Sequence, residues 1–227
     1  MLCTDVIRNV YSYLQEPSNV WLELGLSEDD MVHDYNVCDE KQFRMDFKRF
    51  KNLNSLTCYD CILPNDLNYS KIRYLDMEAN ECISVLPESF KNLLSLGAYR
   101  STLIKIPCVM ENLEELIIEE TPITSLPVMK NIKTLQISET PITKLNGAFD
   151  NLEVLRCDGC NIKKLPKGMK KLEVLSIVNA PIIKLPKGLK NLKELECEWN
   201  VKLSKKFRKM SAEQLCAMSD YDGFAIG

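Results

Sequence analysis

From Leu53 onward apolar residues fall at fixed offsets, and the whole set recurs every 19 to 21 residues. The unit reads Leu-x-x-Leu-x-(apolar)-x-x-(small or polar)-x-(apolar)-x-x-Leu-Pro. It is clearest in Leu152 to Pro166 and again in Leu172 to Pro186. Eight copies begin at Leu53, Ile72, Leu93, Leu113, Ile132, Leu152, Leu172 and Leu192. Apolar residues at positions four and six of each copy alternate with polar ones, the period of a short strand with one buried face. One such unit cannot bury its apolar face alone, so the copies must stack, with their strands forming a parallel sheet along a curved solenoid. About 20 residues per turn leave no room for a full helix on the outer side, where extended or short 3₁₀ segments are expected.

This pattern resembles the leucine-rich-repeat family over about two-thirds of the chain. The resemblance implies an α/β solenoid with a concave parallel sheet and a non-enzymatic role in protein–protein interaction. In that family the ninth position is usually Asn. Here the column reads Cys61, Asn80, Ser101, Thr121, Thr140, Cys160, Ala180 and Asn200. All but Ala180 offer a small group able to bond the backbone of the turn.

The ends differ from the middle. Residues 1–52 read as an N-terminal helical cap: Asp5 to Gln15 carries Val6, Val10, Tyr13 and Leu14 on one face and stops at Pro17, and Val20 to Leu26 and the Phe43, Phe47, Phe50 series follow. The stretch from Val6 to Pro17 also resembles the opening helix of an F-box. That alternative implies a substrate adaptor of a ubiquitin ligase, docked on a Skp1-like subunit through residues 5–26. Residues 53–210 hold the eight repeats. Residues 211–227 read as a C-terminal cap helix and tail, started by Ser211 and carrying Leu215 and Met218.

Function is expected on the concave face, which positions three, five, seven and eight of each unit supply. Across these four columns acidic residues outnumber basic ones by eleven to two. The acidic set is Asp60, Asp76, Glu78, Glu115, Glu119, Glu120, Glu139, Asp158, Glu194, Glu196 and Glu198, and the basic pair is Arg100 and Arg156. Lysines gather on the turn and outer side, at Lys105, Lys144, Lys164, Lys167, Lys170, Lys171, Lys184, Lys187 and Lys190. The concave columns also carry Tyr59, Tyr74, Tyr99, Arg100 and Trp199, residue types that dominate binding hot spots. The site set is therefore Tyr59, Tyr74, Glu78, Tyr99, Arg100, Glu115, Glu119, Glu120, Glu139, Arg156, Asp158, Glu196, Glu198 and Trp199, facing another protein rich in basic residues.

Composition narrows the alternatives. A net charge of −3 is not that of a nucleic-acid binder, and no uncharged run exceeds ten residues, so neither nucleic acid nor a membrane is an expected partner. His33 is the one histidine, which leaves no basis for a His triad or a multi-histidine metal site. Cys58-x-x-Cys61 and Cys157-x-x-Cys160 look like zinc half-sites, but they stand five repeats apart, about 24 Å at strand spacing. Cys58, Cys157 and Cys197 fall in the inward sixth column, which reads as cysteine used as a small core hydrophobe. No cofactor and no catalysis are expected. Ten cysteines read as free thiols, with no basic-then-apolar leader, point to a reducing compartment, cytoplasmic or nuclear.

Overall fold

The computed structural model describes residues 34–38, 53–59, 63, 69–147 and 149–197. Its frame is a nine-stranded parallel sheet in which the strands follow one another in chain order. They are β1 (Asp34–Cys38), β2 (Ser55–Tyr59), β3 (Tyr74–Asp76), β4 (Ser95–Gly97), β5 (Glu115–Ile117), β6 (Thr134–Gln136), β7 (Val154–Arg156), β8 (Val174–Ile177) and β9 (Glu194–Cys197). The register is in phase throughout. Leu56, Leu75, Leu96, Leu116, Leu135, Leu155, Leu175 and Leu195 pair across successive strands and form an unbroken buried row. The sixth column lies beside it, with Cys58, Met77, Ala98, Ile118, Ile137, Cys157 and Ile177 fully buried. A slip of one residue would turn both rows to solvent, so burial itself fixes the register.

β1 is a departure from the sequence reading, because it lies inside the segment assigned to a helical cap. It pairs with β2 as a preceding turn of the same solenoid, Tyr35 opposite Leu56 and Val37 opposite Cys58. The pattern hid it because Tyr and Val stand where the other units have Leu and Ile, and no Leu-Pro closes the unit. The helix read over Asp5 to Gln15, the apolar stretches Val20 to Leu26 and Phe43 to Phe50, the F-box-like stretch and the C-terminal cap lie outside the described residues.

After β3 to β8 the chain turns at position eight, where the backbone enters the left-handed region: Ala79, Arg100, Glu120, Glu139 and Asn179 have φ of 51–56° and Gly159 has 65°. Each non-glycine residue held there costs on the order of 1 kcal/mol. The turn extends the hydrogen-bond ladder beyond the strands. The N–H of Ala79 donates to Tyr99 O (2.8 Å), that of Arg100 to Glu119 O (3.0 Å) and that of Glu139 to Asp158 O (2.7 Å). Position nine then ties the turn down. Asn80 donates to Cys58 O and accepts from the N–H groups of Cys82 and Ile83. Thr121 and Thr140 donate to Ile118 O and Ile137 O at 2.7 Å, and the Cys160 thiol donates to Ile137 O.

The outer side is extended, with single bridges at Val85–Lys105 and Val109–Val128 and one 3₁₀ segment, Glu88–Asn92. Phe90 from that segment stacks on Tyr69, ring centroids 4.3 Å apart, closing the core beneath the first units. Asparagines join neighbouring units: Asn92, Asn131 and Asn191 donate to the carbonyls of Ser70, Glu111 and Lys170. Cys58, Cys157 and Cys160 are buried as the register requires. Cys82 is half-buried and Cys108 is exposed on the outer side, so core packing does not account for every cysteine. Among the described residues no helix is long and apolar enough to cross a membrane.

Candidate functional site

Alternation along each strand puts positions three and five on the face opposite the leucine row, and the left-handed turn brings positions seven and eight up beside them. On this concave face the described residues form a shallow open groove of about 330 Å3 over β2 to β5. Gly97 is among its lining residues. Asp76 and Ile117 flank Gly97 in the same column on the adjacent strands, and Ser95 and Tyr99 lie two residues to either side along the chain. Tyr74, Glu78 and Glu115 complete the rim.

The groove is acidic. Asp76, Glu78, Glu115 and Glu119 make no ion pair among the described residues, although Asp76 accepts the Glu78 N–H (3.2 Å) and Glu115 accepts the Ser95 hydroxyl (2.7 Å). The nearby cations are already engaged. Arg73 donates to the carbonyls of Ser70, Ile72 and Asn92. Arg100 bonds Glu120 at 3.0 Å and lies over the Tyr99 ring, 4.7 Å from its centroid. The Tyr99 hydroxyl also donates to Glu120, at 2.9 Å, so this carboxylate fixes both neighbours. The bond to Glu120 raises the Tyr99 pKa above its ordinary value, and the bond to Arg100 holds the Glu120 carboxyl below its own.

A second polar cluster sits over β7 to β9. The Ser176 hydroxyl, fully buried, lies between Asp158 (2.7 and 2.8 Å) and Glu196 (2.8 Å), and Asp158 also accepts the Val178 N–H. Arg156 approaches Glu196 at 3.6 Å. Burial pushes the Asp158 carboxyl up, against the pull of its hydrogen bonds from Ser176 and Val178.

The structure thus divides the sequence-derived set. Tyr74, Glu78, Tyr99 and Glu115 line the groove, Arg100 and Glu120 are joined to it through Tyr99, and Glu119 is not among its lining residues. Arg156, Asp158 and Glu196 form the separate β7–β9 cluster. Glu139 belongs to neither, its carboxylate lying over Gly159, where a Cβ would collide with it. Tyr59 is half-buried at the end of β2, and Asp60, Glu198 and Trp199 lie outside the described residues. The sequence-derived site set left out Gly97 and Ile117, and Asp76 although it stood among the acidic residues of the same face. The available signal was a glycine in a strand column that has no turn to make, which marks close approach by another group.

The opposite side carries the lysines. Asn161 to Lys171 and Pro181 to Asn191 hold eight lysines and no acidic residue, and all eight are exposed. Lys130, Lys133 and Lys193 instead pair with Glu111, Glu114 and Glu173 of the preceding unit.

No protein-family model matches the chain. Solved structures do. The leucine-rich repeat domain of the type III effector XopL matches over 87% of this chain and 87% of its own, at 18% identity and a TM-score of 0.55. TLR13, in its complex with ssRNA13, matches over 77% of this chain at 20% identity and a TM-score of 0.53. The plant peptide hormone receptor RGFR1, in complex with RGF2, matches over 72% at 17% identity and a TM-score of 0.52. This chain spans only 34% and 30% of the length of those two proteins. The fold is therefore that of the leucine-rich-repeat solenoids.

Proposed function

We propose that this leucine-rich-repeat solenoid is a non-enzymatic protein-binding module whose concave face takes an extended segment of a partner bearing basic side chains. The observation that carries the reading is the groove over β2 to β5, rimmed by Tyr74 and Tyr99 and by carboxylates that no cation of the described residues neutralises. Tyrosine supplies large contact area at low entropic cost, and unpaired carboxylates favour a cationic partner by complementarity. The fold alone does not choose the ligand, since the solved relatives include one complex with a peptide hormone and one with an RNA. Charge makes the choice here, because an acidic face repels a phosphate backbone. The carboxylates stand on an open sheet with nothing to exclude water, so they are binding groups and are assigned no reaction.

Panning a random nonapeptide library against the purified protein tests this. Selected peptides are expected to be enriched in Lys or Arg, and Asp76→Lys with Glu115→Lys should weaken them at least tenfold while leaving the circular dichroism spectrum unchanged. Enrichment of neutral or acidic peptides, or binding that survives the reversal, would refute it.

A further inference from the structure

Gly97 is the last residue of β4 and its φ lies outside the left-handed region, so the backbone does not require glycine there. Glycine in that place weakens a strand relative to alanine. A Cβ built on it would meet Asp76, its carboxylate at 3.2 Å, and that oxygen, which also accepts the Glu78 N–H, would have to give by a few tenths of an ångström. Packing therefore opposes a larger residue through one carboxylate and not through the backbone. What glycine leaves is a vacant side-chain position between Asp76 and Ile117, whose strands flank β4 at about 4.8 Å on either side.

We infer that this vacancy is a socket for one basic side chain of the bound partner, a lysine or an arginine. The inference rests on the concave-face reading and sharpens it to a single contact. The two walls of the socket differ in kind. Ile117 offers an aliphatic surface to the methylene stem, while Asp76, with Glu78 and Glu115 on the rim, faces the charged head. That combination suits an amphipathic side chain that buries its stem and keeps its charge paired. An aliphatic side chain would leave Asp76 desolvated without a counter-charge, and an acidic one would be repelled. Arg100 does not compete, because Glu120 and the Tyr99 ring hold it. The Tyr99 hydroxyl bond to Glu120 keeps that ring in place as the end wall.

The test uses a basic nonapeptide selected as above and a double-mutant cycle. Gly97→Val fills the socket, and Gly97→Ala fills it in part. Affinity for the peptide should fall about tenfold with Val and less with Ala, while both variants keep the wild-type circular dichroism spectrum. Replacing the peptide's selected Lys or Arg by Gln should cost about tenfold on the wild type and little more on Gly97→Val, because the side chain has already lost its seat. Equal costs on both proteins would overturn the socket and leave the concave-face reading standing. Peptides selected without any fixed basic residue would bring down both. Should Gly97→Val fail to fold, the Gly97→Ala cycle decides in the same way on a smaller scale.

Discussion

Leu116 and Ile117 are neighbours in sequence on β5 and face opposite ways, one into the leucine row and one into the groove. Leu116 is fully buried between Leu96 and Leu135, themselves fully buried. Leu116→Ala removes three carbons, worth about 2.5 kcal/mol in transfer free energy at roughly 0.8 kcal/mol per methylene. The strands on either side are held in register by backbone ladders and cannot close in, so the cavity adds about 1.5 kcal/mol more at about 24 cal/mol per Å3. The expected loss is about 4 kcal/mol. Ile117→Ala removes the same three carbons from a half-buried side chain and leaves no closed cavity, so it should cost about 1 kcal/mol. Urea unfolding followed by circular dichroism at several protein concentrations reads both values. Costs within 1 kcal/mol of each other would refute the assignment of faces, and with it the groove.

Three further predictions concern the polar groups. The folded-state pKa of Asp158 is raised, so the folded protein binds that proton more readily than the unfolded chain; its effect on stability is lost as pH rises from the ordinary aspartate value, about 4, through the folded value. Asp158→Asn should flatten this part of the urea-midpoint profile and be at least as stable as wild type at pH 7, and a less stable variant at pH 7 would contradict the account. Glu120→Gln should lower the Tyr99 pKa by removing its main raising cause, as read by ultraviolet titration of phenolate against a Tyr99→Phe reference; an unchanged value would mean the bond is not formed in solution. Cys108 should react with a thiol reagent in the folded protein, whereas Cys157, buried and with its thiol pKa pushed up, should react only on unfolding, as located by peptide mass spectrometry. Fast labelling of Cys157 in native buffer would show that the sixth column opens.

The repeating part of the fold was legible because a strand's period of two and a unit of about 20 residues are local properties. Leucine at position four of each unit forces the same register at every junction, and the small polar residues at position nine announce the turns they bond. β1 escaped because Tyr35 and Val37 satisfy the backbone pairing without carrying the leucine signature. The acidity of the concave face could be summed column by column, since the register assigns each residue to a side before any coordinates exist.

What summation could not give is which charges remain available. Arg100 and Glu120 look like one attractive cation and one attractive anion in the sequence, yet they cancel across adjacent units while holding Tyr99. Asp158 and Glu196 share Ser176 and form a cluster of their own. These are contacts between residues about 20 apart, decided by the direction of side chains across neighbouring turns. The groove has the same origin, for Gly97 becomes a vacancy only when Asp76 and Ile117 are set beside it. Sequence determined the sheet and the face, because both follow from a periodic choice between burial and exposure. Tertiary structure alone decided the site, because a hole is defined by its neighbours.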